Sequence, residues 1–131
     1  MKVKAVARNL DISAQKLRLS ADLVRGAGVR VAMEALAAQP QKSAKVVYDA
    51  IHSAAANAQN NYNLSKTNLV IEEIRVDKGR KLKRYRPRAR GSVSNIEHPS
   101  AHLTVIVADK PAAEVKKTDT KSVAKTKKET K

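Results

Sequence analysis

The amino-acid sequence predicts an α+β fold, in which three helices pack on a small three-stranded antiparallel sheet and a long basic β-hairpin arm projects from the body. Apolar residues recur at helical spacing in three segments between residues 13 and 62. Two runs rich in β-branched residues follow, at 69–76 and 102–107. The sixteen residues 75–90 carry nine Lys and Arg residues against one acid, Asp77. These three observations define the body and its arm.

The N-terminal part predicts one strand and one helix. Residues 2–5 alternate basic and apolar side chains, which is typical of a half-buried strand with a cationic outer face. Ser13 is suited to the N-cap of a helix that runs to Arg25, and Gly26 follows where a helix end favours a left-handed residue. The apolar residues of this helix share one face: Leu17, Ala21 and Val24.

Two further helices are predicted before the basic run. The second spans about residues 29–38, and its apolar side is formed by Val29, Ala32, Met33 and Leu36. The third and longest begins at Gln41 or Ser43 and ends at Tyr62. Its apolar positions are Val47, Ile51, Ala54, Ala55, Ala58 and Tyr62. The small side chains in its middle suit close packing across a sheet.

The β-branched runs around the basic segment predict a hairpin, because Pro87 and Gly91 lie between them. Strands of roughly 15 residues that extend to a tip near residues 87–91 would each be on the order of 50 Å long. This exceeds the radius of gyration of about 13 Å expected for 100 residues. Buried cations lose hydration and neighbouring cations repel, so such an arm needs a polyanionic partner, and RNA or DNA is the natural candidate.

We predict a single domain, residues 1–109, with a globular body (1–74 and 101–109) and the arm (75–100). Residues 110–131 contain eight Lys residues and few apolar ones, which predicts a disordered tail. The 131 residues have a formal net charge of +15, as expected for a nucleic-acid-binding protein.

The composition argues against several other classes. Without Cys, the chain has no disulfide, thiolate metal site or cysteine nucleophile. His98 and His102 are four residues apart, but Pro99 breaks the helix that would place them on one face, so we expect no metal and no cofactor. The acids form no obvious catalytic pair, so we expect no enzyme. No secretory signal or membrane-spanning run is recognised, and a cytoplasmic location is expected.

Four motifs occur in a specific order. They are Ser13-Ala-Gln-Lys-Leu-Arg with Ala21-Asp-Leu-Val-Arg-Gly, an Ala- and Asn-rich stretch at 52–61, Arg86-Pro-Arg-Ala-Arg-Gly, and His102-Leu-Thr-Val-Ile-Val. Over about residues 2–109 this order resembles the bacterial large-subunit ribosomal protein family called L-twenty-two. Ala14 departs from the Pro that the family commonly has. Residues 92–97 are less basic than in many relatives, which predicts a weaker grip on RNA by the returning strand.

The resemblance implies a structural constituent of the large ribosomal subunit that binds the large-subunit (23S) rRNA, supports its assembly and adjoins other large-subunit ribosomal proteins. It implies no membrane partner and no small-molecule substrate. The arm would thread into the rRNA, and its tip would line the nascent-peptide exit tunnel beside the nascent polypeptide. The tip residues are Arg86, Pro87, Arg88, Ala89, Arg90 and Gly91.

The rRNA-binding residues follow from side-chain chemistry, because Arg binds phosphate bidentately or stacks on bases and Lys acts as a point charge. In the arm they are Arg75, Lys78, Arg80, Lys81, Lys83, Arg84, Arg86, Arg88 and Arg90. Tyr85 could stack on an unpaired base or pack across the hairpin, and Pro87 and Gly91 would shape the tip. On the body they are Lys2, Lys4, Arg8, Lys16 and Arg18, each of which could instead belong to a solvated surface.

Two alternatives stay open. A general nucleic-acid-binding or DNA-compacting protein would share the charge but not the order of motifs, and would prefer duplex DNA. An enzyme acting on RNA would need a catalytic His or carboxylate whose replacement abolishes turnover.

Overall fold

The computed structural model describes residues 1–109. In chain order the elements are β1 (Lys2–Leu10), α1 (Ala14–Val24), α2 (Val29–Ala37), α3 (Lys42–Tyr62), β2 (Leu69–Pro87) and β3 (Val93–Asp109), with short 3-10 turns at Lys66–Asn68 and Ala89–Gly91. The predicted α+β class, with three helices and a three-stranded antiparallel sheet, is confirmed. The predicted tail, 110–131, lies outside the described residues.

The sheet has the order β1-β3-β2, so the last strand of the chain lies in the middle and runs antiparallel to both neighbours. Alternate residues of each strand point to the helices, as the two-residue period of a strand requires. Those of β3 are fully buried: Leu103, Val105 and Val107. The core lies between this face of the sheet and the three helices.

The predicted apolar faces of the helices are confirmed with one exception. Leu17, Ala21 and Val24 are fully buried, as are the inner residues of α3 up to Ala58. Tyr62, the last apolar position predicted at helical spacing in α3, is 43% exposed and does not share the burial of the others. The reason is that Asn63 adopts a left-handed conformation with φ of 52° and ends α3, whose last turn extends past the core.

Both predicted caps of α1 are found in the structure. Ser13 occupies the N-cap position, although its hydroxyl makes no capping hydrogen bond. Gly26 has φ of 76°, the left-handed conformation that favours glycine after a helix. Its N–H donates to the Ile71 carbonyl at 3.1 Å, and the Ile71 N–H donates to the Ala27 carbonyl at 3.0 Å. The turn after α1 therefore covers the outer edge of β2.

Strand β1 is longer than the alternation of residues 2–5 predicts. It continues to Leu10 through a bulge in which Arg8 and Asn9 lie opposite His102. Asn9 has φ of 55°, and its N–H donates to His102 Nδ1 at 3.0 Å. A bulge adds a residue and interrupts the alternation, so the sequence pattern stops short of the true strand end.

The hairpin changes from three strands to two at one position. Ala101 pairs with Leu10 on one side and with Lys78 on the other. Beyond it, β2 and β3 pair only with each other, from Lys81↔Pro99 to Pro87↔Val93. Residues 75–78 thus lie in the three-stranded sheet, and the two-stranded part, 79–100, extends about 30 Å at 3.3 Å per residue. We therefore restrict the name arm to residues 79–100.

Candidate nucleic-acid interface

The arm carries charge without a core of its own. Residues 79–100 contain seven Lys and Arg residues and one acid, Glu97, and all seven cations are exposed. Its large apolar side chains are mostly exposed as well, with Leu82 at 47%, Tyr85 at 76% and Val93 at 59%. Apolar burial therefore contributes little to holding the arm in place.

The strand register divides the arm into two faces. Residues directly opposite each other in an antiparallel pair share a face, and the next pair along points the other way. Lys83 lies opposite Glu97, and Tyr85 opposite Asn95. These four side chains form the Lys/Tyr face, which also includes Lys81.

The other face carries arginine. Arg84 lies opposite Ile96, and Arg86 opposite Ser94. We call this the Arg face. Cationic side chains therefore project from both faces of a ribbon that is a single sheet thick.

Carboxylates neutralise only a few of the predicted contact residues. Lys81 Nζ lies 2.7 Å from a Glu97 oxygen, and Arg75 lies 3.8 Å from Glu73 and 3.7 Å from Asp77. The hydrogen bond from Lys81 and its charge, with a smaller contribution from the charge of Lys83, hold the pKa of Glu97 below its ordinary value. Within residues 1–109, no carboxylate lies within 4.0 Å of the other cations of the basic run: Lys78, Arg80, Lys83, Arg84, Arg86, Arg88 and Arg90.

The tip is a closed loop. The Arg88 N–H donates to the Ser92 carbonyl at 2.8 Å, and the Ser92 hydroxyl donates to the Ala89 carbonyl at 2.9 Å. Arg90 and Gly91 both have positive φ, 57° and 72°. Gly91 thus has the conformation that a shaping role requires, whereas Arg90 adopts a conformation that side-chain-bearing residues rarely take.

Tyr85 does not pack into a cluster. Its neighbour across the hairpin is Asn95, and the side chain is among the most exposed large apolar groups of the described residues. Of the two roles open to it, the exposed ring favours stacking on a base over packing across the hairpin.

The structure separates the predicted contacts of the body into two groups. Lys2 and Lys4 are exposed on the outer face of β1, where Lys2 forms an ion pair with Glu72, and Arg8 lies at the bulge near the end of that strand. Lys16 and Arg18 lie on α1, on the helical side of the sheet. Arg18 Nη2 donates to the Val76 carbonyl at 3.1 Å, so this residue has a structural contact.

Lys16 lines a cleft of about 550 Å³ between the starts of α1 and α3 and the base of the arm. Lys42 and His98 line the same cleft. Lys42 was not predicted as a contact, because only the packing of α3 beside the arm brings it there. The nearest sequence signal is its position at the start of a helix without an acid in its first turn.

Other chemistry finds little support in the described part of the chain. Among residues 1–109, no group of three or more His, Cys, Asp or Glu side chains could hold a metal ion. His102 uses Nδ1 to accept the Asn9 N–H. No helix in this range is long and apolar enough to cross a membrane.

Comparison with known families identifies a match over most of the chain. Residues 5–108 match the sequence model of the family described as ribosomal protein L22p/L17e. The match includes all three helices, the arm and nearly all of the sheet.

Proposed function

Because the chain belongs to the ribosomal protein L22p/L17e family and is thereby a structural, non-enzymatic protein of the large ribosomal subunit, we propose that it binds large-subunit rRNA by inserting its arm between RNA segments. The observation that carries this proposal is the presence of cations on both faces of the arm. An RNA surface on one side could contact the Lys/Tyr face or the Arg face, but not both. RNA on both sides would allow the cations of both faces to bind phosphate.

The body would add contacts from its two cationic regions. Lys2, Lys4 and Arg8 on the sheet would approach one RNA segment, and Lys16 and Lys42 beside the arm would approach another. Contacts to separate segments hold them together, which is how this protein would support subunit assembly. The tip, residues 86–91, would then line the peptide exit tunnel beside the nascent chain.

The test is to neutralise each face in turn and to measure binding to large-subunit rRNA as a function of salt. One variant is Lys81→Gln/Lys83→Gln, and the other is Arg84→Gln/Arg86→Gln. The slope of log affinity against log salt should fall in both, by about 0.7–0.9 for each lost phosphate contact. The fall should be smaller for the Lys variant, because Lys81 is already paired with Glu97.

The matched control is Arg25→Gln/Arg30→Gln, which removes the same charge beyond the end of α1 and at the start of α2, away from the arm. Both arginines form ion pairs with carboxylates close in sequence, Asp22 and Glu34, at 2.9 and 3.1 Å. The slope should not change in this control. A loss confined to one face would show that RNA covers only that side. Unchanged slopes in both arm variants would show that the arm does not bind phosphate.

Sedimentation of the tagged protein in a cell lysate at moderately high salt separates this proposal from general nucleic-acid binding. We expect stoichiometric retention in the large subunit. Release to the top of the gradient, or association with chromosomal DNA, would contradict a fixed place in the subunit.

The position of the tip has its own test. The chain has no Cys, so Ala89→Cys gives a single site for a photo-crosslinker. In ribosomes with a stalled nascent chain, this site should crosslink to the nascent chain, whereas Gln59→Cys on α3 should not. Equal crosslinking from both sites, or none from Ala89→Cys, would contradict a tip in the tunnel wall.

A further inference from the structure

The arm leaves the body through an irregularity in β2. The register steps from Lys78↔Ala101 to Lys81↔Pro99, so Gly79 and Arg80 together lie opposite Ser100. Such a β-bulge bends the strand and increases its twist. It lies immediately after the last pair that β1 makes with β3, Leu10↔Ala101. The bend therefore coincides with the position at which the third strand ends.

One hydrogen bond closes this bulge. A bulge leaves backbone groups without their partner in the ladder, and here the Ser100 hydroxyl donates to the Arg80 carbonyl at 2.6 Å. The next side-chain bond between the two strands is the ion pair between Lys81 and Glu97 on the Lys/Tyr face. A short side chain with one rotatable bond thus joins the two strands at the bend.

Gly79 lies where an added side chain would be crowded by Ser100. A Cβ at this position would lie 2.5 Å from Ser100 Oγ, 3.1 Å from its carbonyl carbon and 3.2 Å from its carbonyl oxygen. Gly79 is not among the residues with positive φ, so the constraint is space and not backbone conformation. A side chain at this position would displace the Ser100 hydroxyl from its bond to Arg80 and would crowd the Ser100 carbonyl, which must move by a few tenths of an ångström.

We propose that Gly79, Arg80 and Ser100, which we call the arm root, set the direction in which the arm leaves the body. Gly79 and Ser100 are positioning residues: they keep the cations and the tip in place and need not touch RNA themselves. A small error at the root becomes large at the tip, because a rotation of about 10° displaces the end of a 30 Å arm by about 5 Å. That displacement is comparable to the spacing between neighbouring strands.

Distance measurements between spin labels test the direction of the arm without RNA. The absence of native Cys allows two labels to be placed at will. Asn95→Cys labels the exposed Lys/Tyr face, and Gln59→Cys or Ala38→Cys labels α3 or the end of α2. Residue 95 lies about 17 Å beyond Ser100, so a rotation of 10° would move its label by about 3 Å. Two body sites are used because a rotation of the arm about the line that joins two labels would leave the distance between them unchanged.

Each root variant has a matched control elsewhere in the chain. Gly79→Ala is compared with Gly28→Ala, where an added Cβ meets nothing within 4 Å. Ser100→Ala is compared with Ser92→Ala, which removes another hydroxyl that bonds a backbone carbonyl, but at the tip. We expect Gly79→Ala to shift at least one mean distance by up to about 3 Å and Ser100→Ala to broaden both distributions. The controls should match the parent protein.

If Gly79→Ala does not fold, the Ser100→Ala distributions decide the question. Unchanged means and widths in Ser100→Ala, and in a folded Gly79→Ala, would overturn the proposal. The helical circular-dichroism signal of every variant confirms that the body is intact, since all three helices lie outside the arm.

A second measurement, which rests on the proposed rRNA binding, separates positioning from charge. The root variants keep every cation, so their affinity for heparin should equal that of the parent protein, while their affinity for large-subunit rRNA should fall several-fold. Shifted distances with full rRNA affinity would uphold the root as the determinant of direction and refute its importance for binding. Equal losses for heparin and rRNA would show damage to the charged surface and overturn the positioning role.

Discussion

Replacing the arm with a short turn should leave a stable body. The change is the deletion of residues 79–100 and the insertion of a four-residue loop containing Asn-Gly, which joins Lys78 to Ala101, a pair that is adjacent in the ladder. All three helices and the largest fully buried side chains lie outside the deleted segment. The expected free-energy change is therefore a balance of small contributions.

The losses come from the modest burial in the arm. Leu82, Tyr85 and Val93 are 47%, 76% and 59% exposed and Ile96 is half-buried, so removing all four forfeits about 2–4 kcal/mol of apolar burial. The gain comes from loop closure. Each halving of a loop's length lowers the entropic cost of closing it by about 0.6 kcal/mol, and shortening the connection from 22 residues to four is about two and a half halvings, or about 1.5 kcal/mol. The free energy of unfolding should thus fall by no more than about 2.5 kcal/mol.

Urea unfolding followed by circular dichroism at 222 nm measures this change. Leu103→Ala in the full-length chain is the contrast, because Leu103 is fully buried and its truncation should cost about 2–5 kcal/mol. A loss of more than about 3 kcal/mol on arm replacement, within the range of a core truncation, would show that the arm belongs to the core. So would the disappearance of the helical signal. Either result would refute the division into body and arm.

Three further outcomes are expected. Ser20→Ala should destabilise the body by about 0.5–1.5 kcal/mol in the same urea assay, because it removes the buried 2.7 Å hydrogen bond to the Ser43 hydroxyl, which keeps only its longer bond to Gln41 at 3.4 Å. NMR titration should show a lowered pKa for Glu97, and in Lys81→Met this pKa should rise towards its ordinary value. Because the pKa of Glu97 is lower in the folded state, the stabilisation from this pair is present at neutral pH and is lost as the pH falls through the folded-state pKa. Deletion of residues 110–131 should leave the melting temperature nearly unchanged, and a large drop would show that the tail docks on the body.

The parts of the fold that sequence patterns predict well are those governed by apolar spacing. Four-residue and three-residue steps put Leu17, Ala21 and Val24 on one helix face and thus predict their burial, and all three are fully buried. The strand end at Leu10 was missed because Arg8 and Asn9 insert a bulge. A bulge depends on the partner strand, and a single strand's alternation contains no information about it.

The candidate site shows the same limit. The sequence identified the cations of the arm, because their density excludes a buried position. It did not show which cations share a face, since that follows from pairing with β3, nor that Arg18 donates to the Val76 carbonyl. Lys42 was missed because α3 and α1 are brought to the same cleft only by tertiary packing.

The returning strand carries little positive charge, from which the sequence alone predicts only weaker RNA binding. The structure supplies a further reason for this low charge. Its polar side chains bond to the outgoing half of the hairpin and the tip: Ser92 to Ala89, Ser94 to Arg88, Glu97 to Lys81 and Ser100 to Arg80. Cations at these positions would repel those of β2 across the ladder. One strand thus supplies the charge and the other holds the ribbon together, so replacing the short polar residues of β3 with Lys or Arg should loosen the arm even as it adds positive charge.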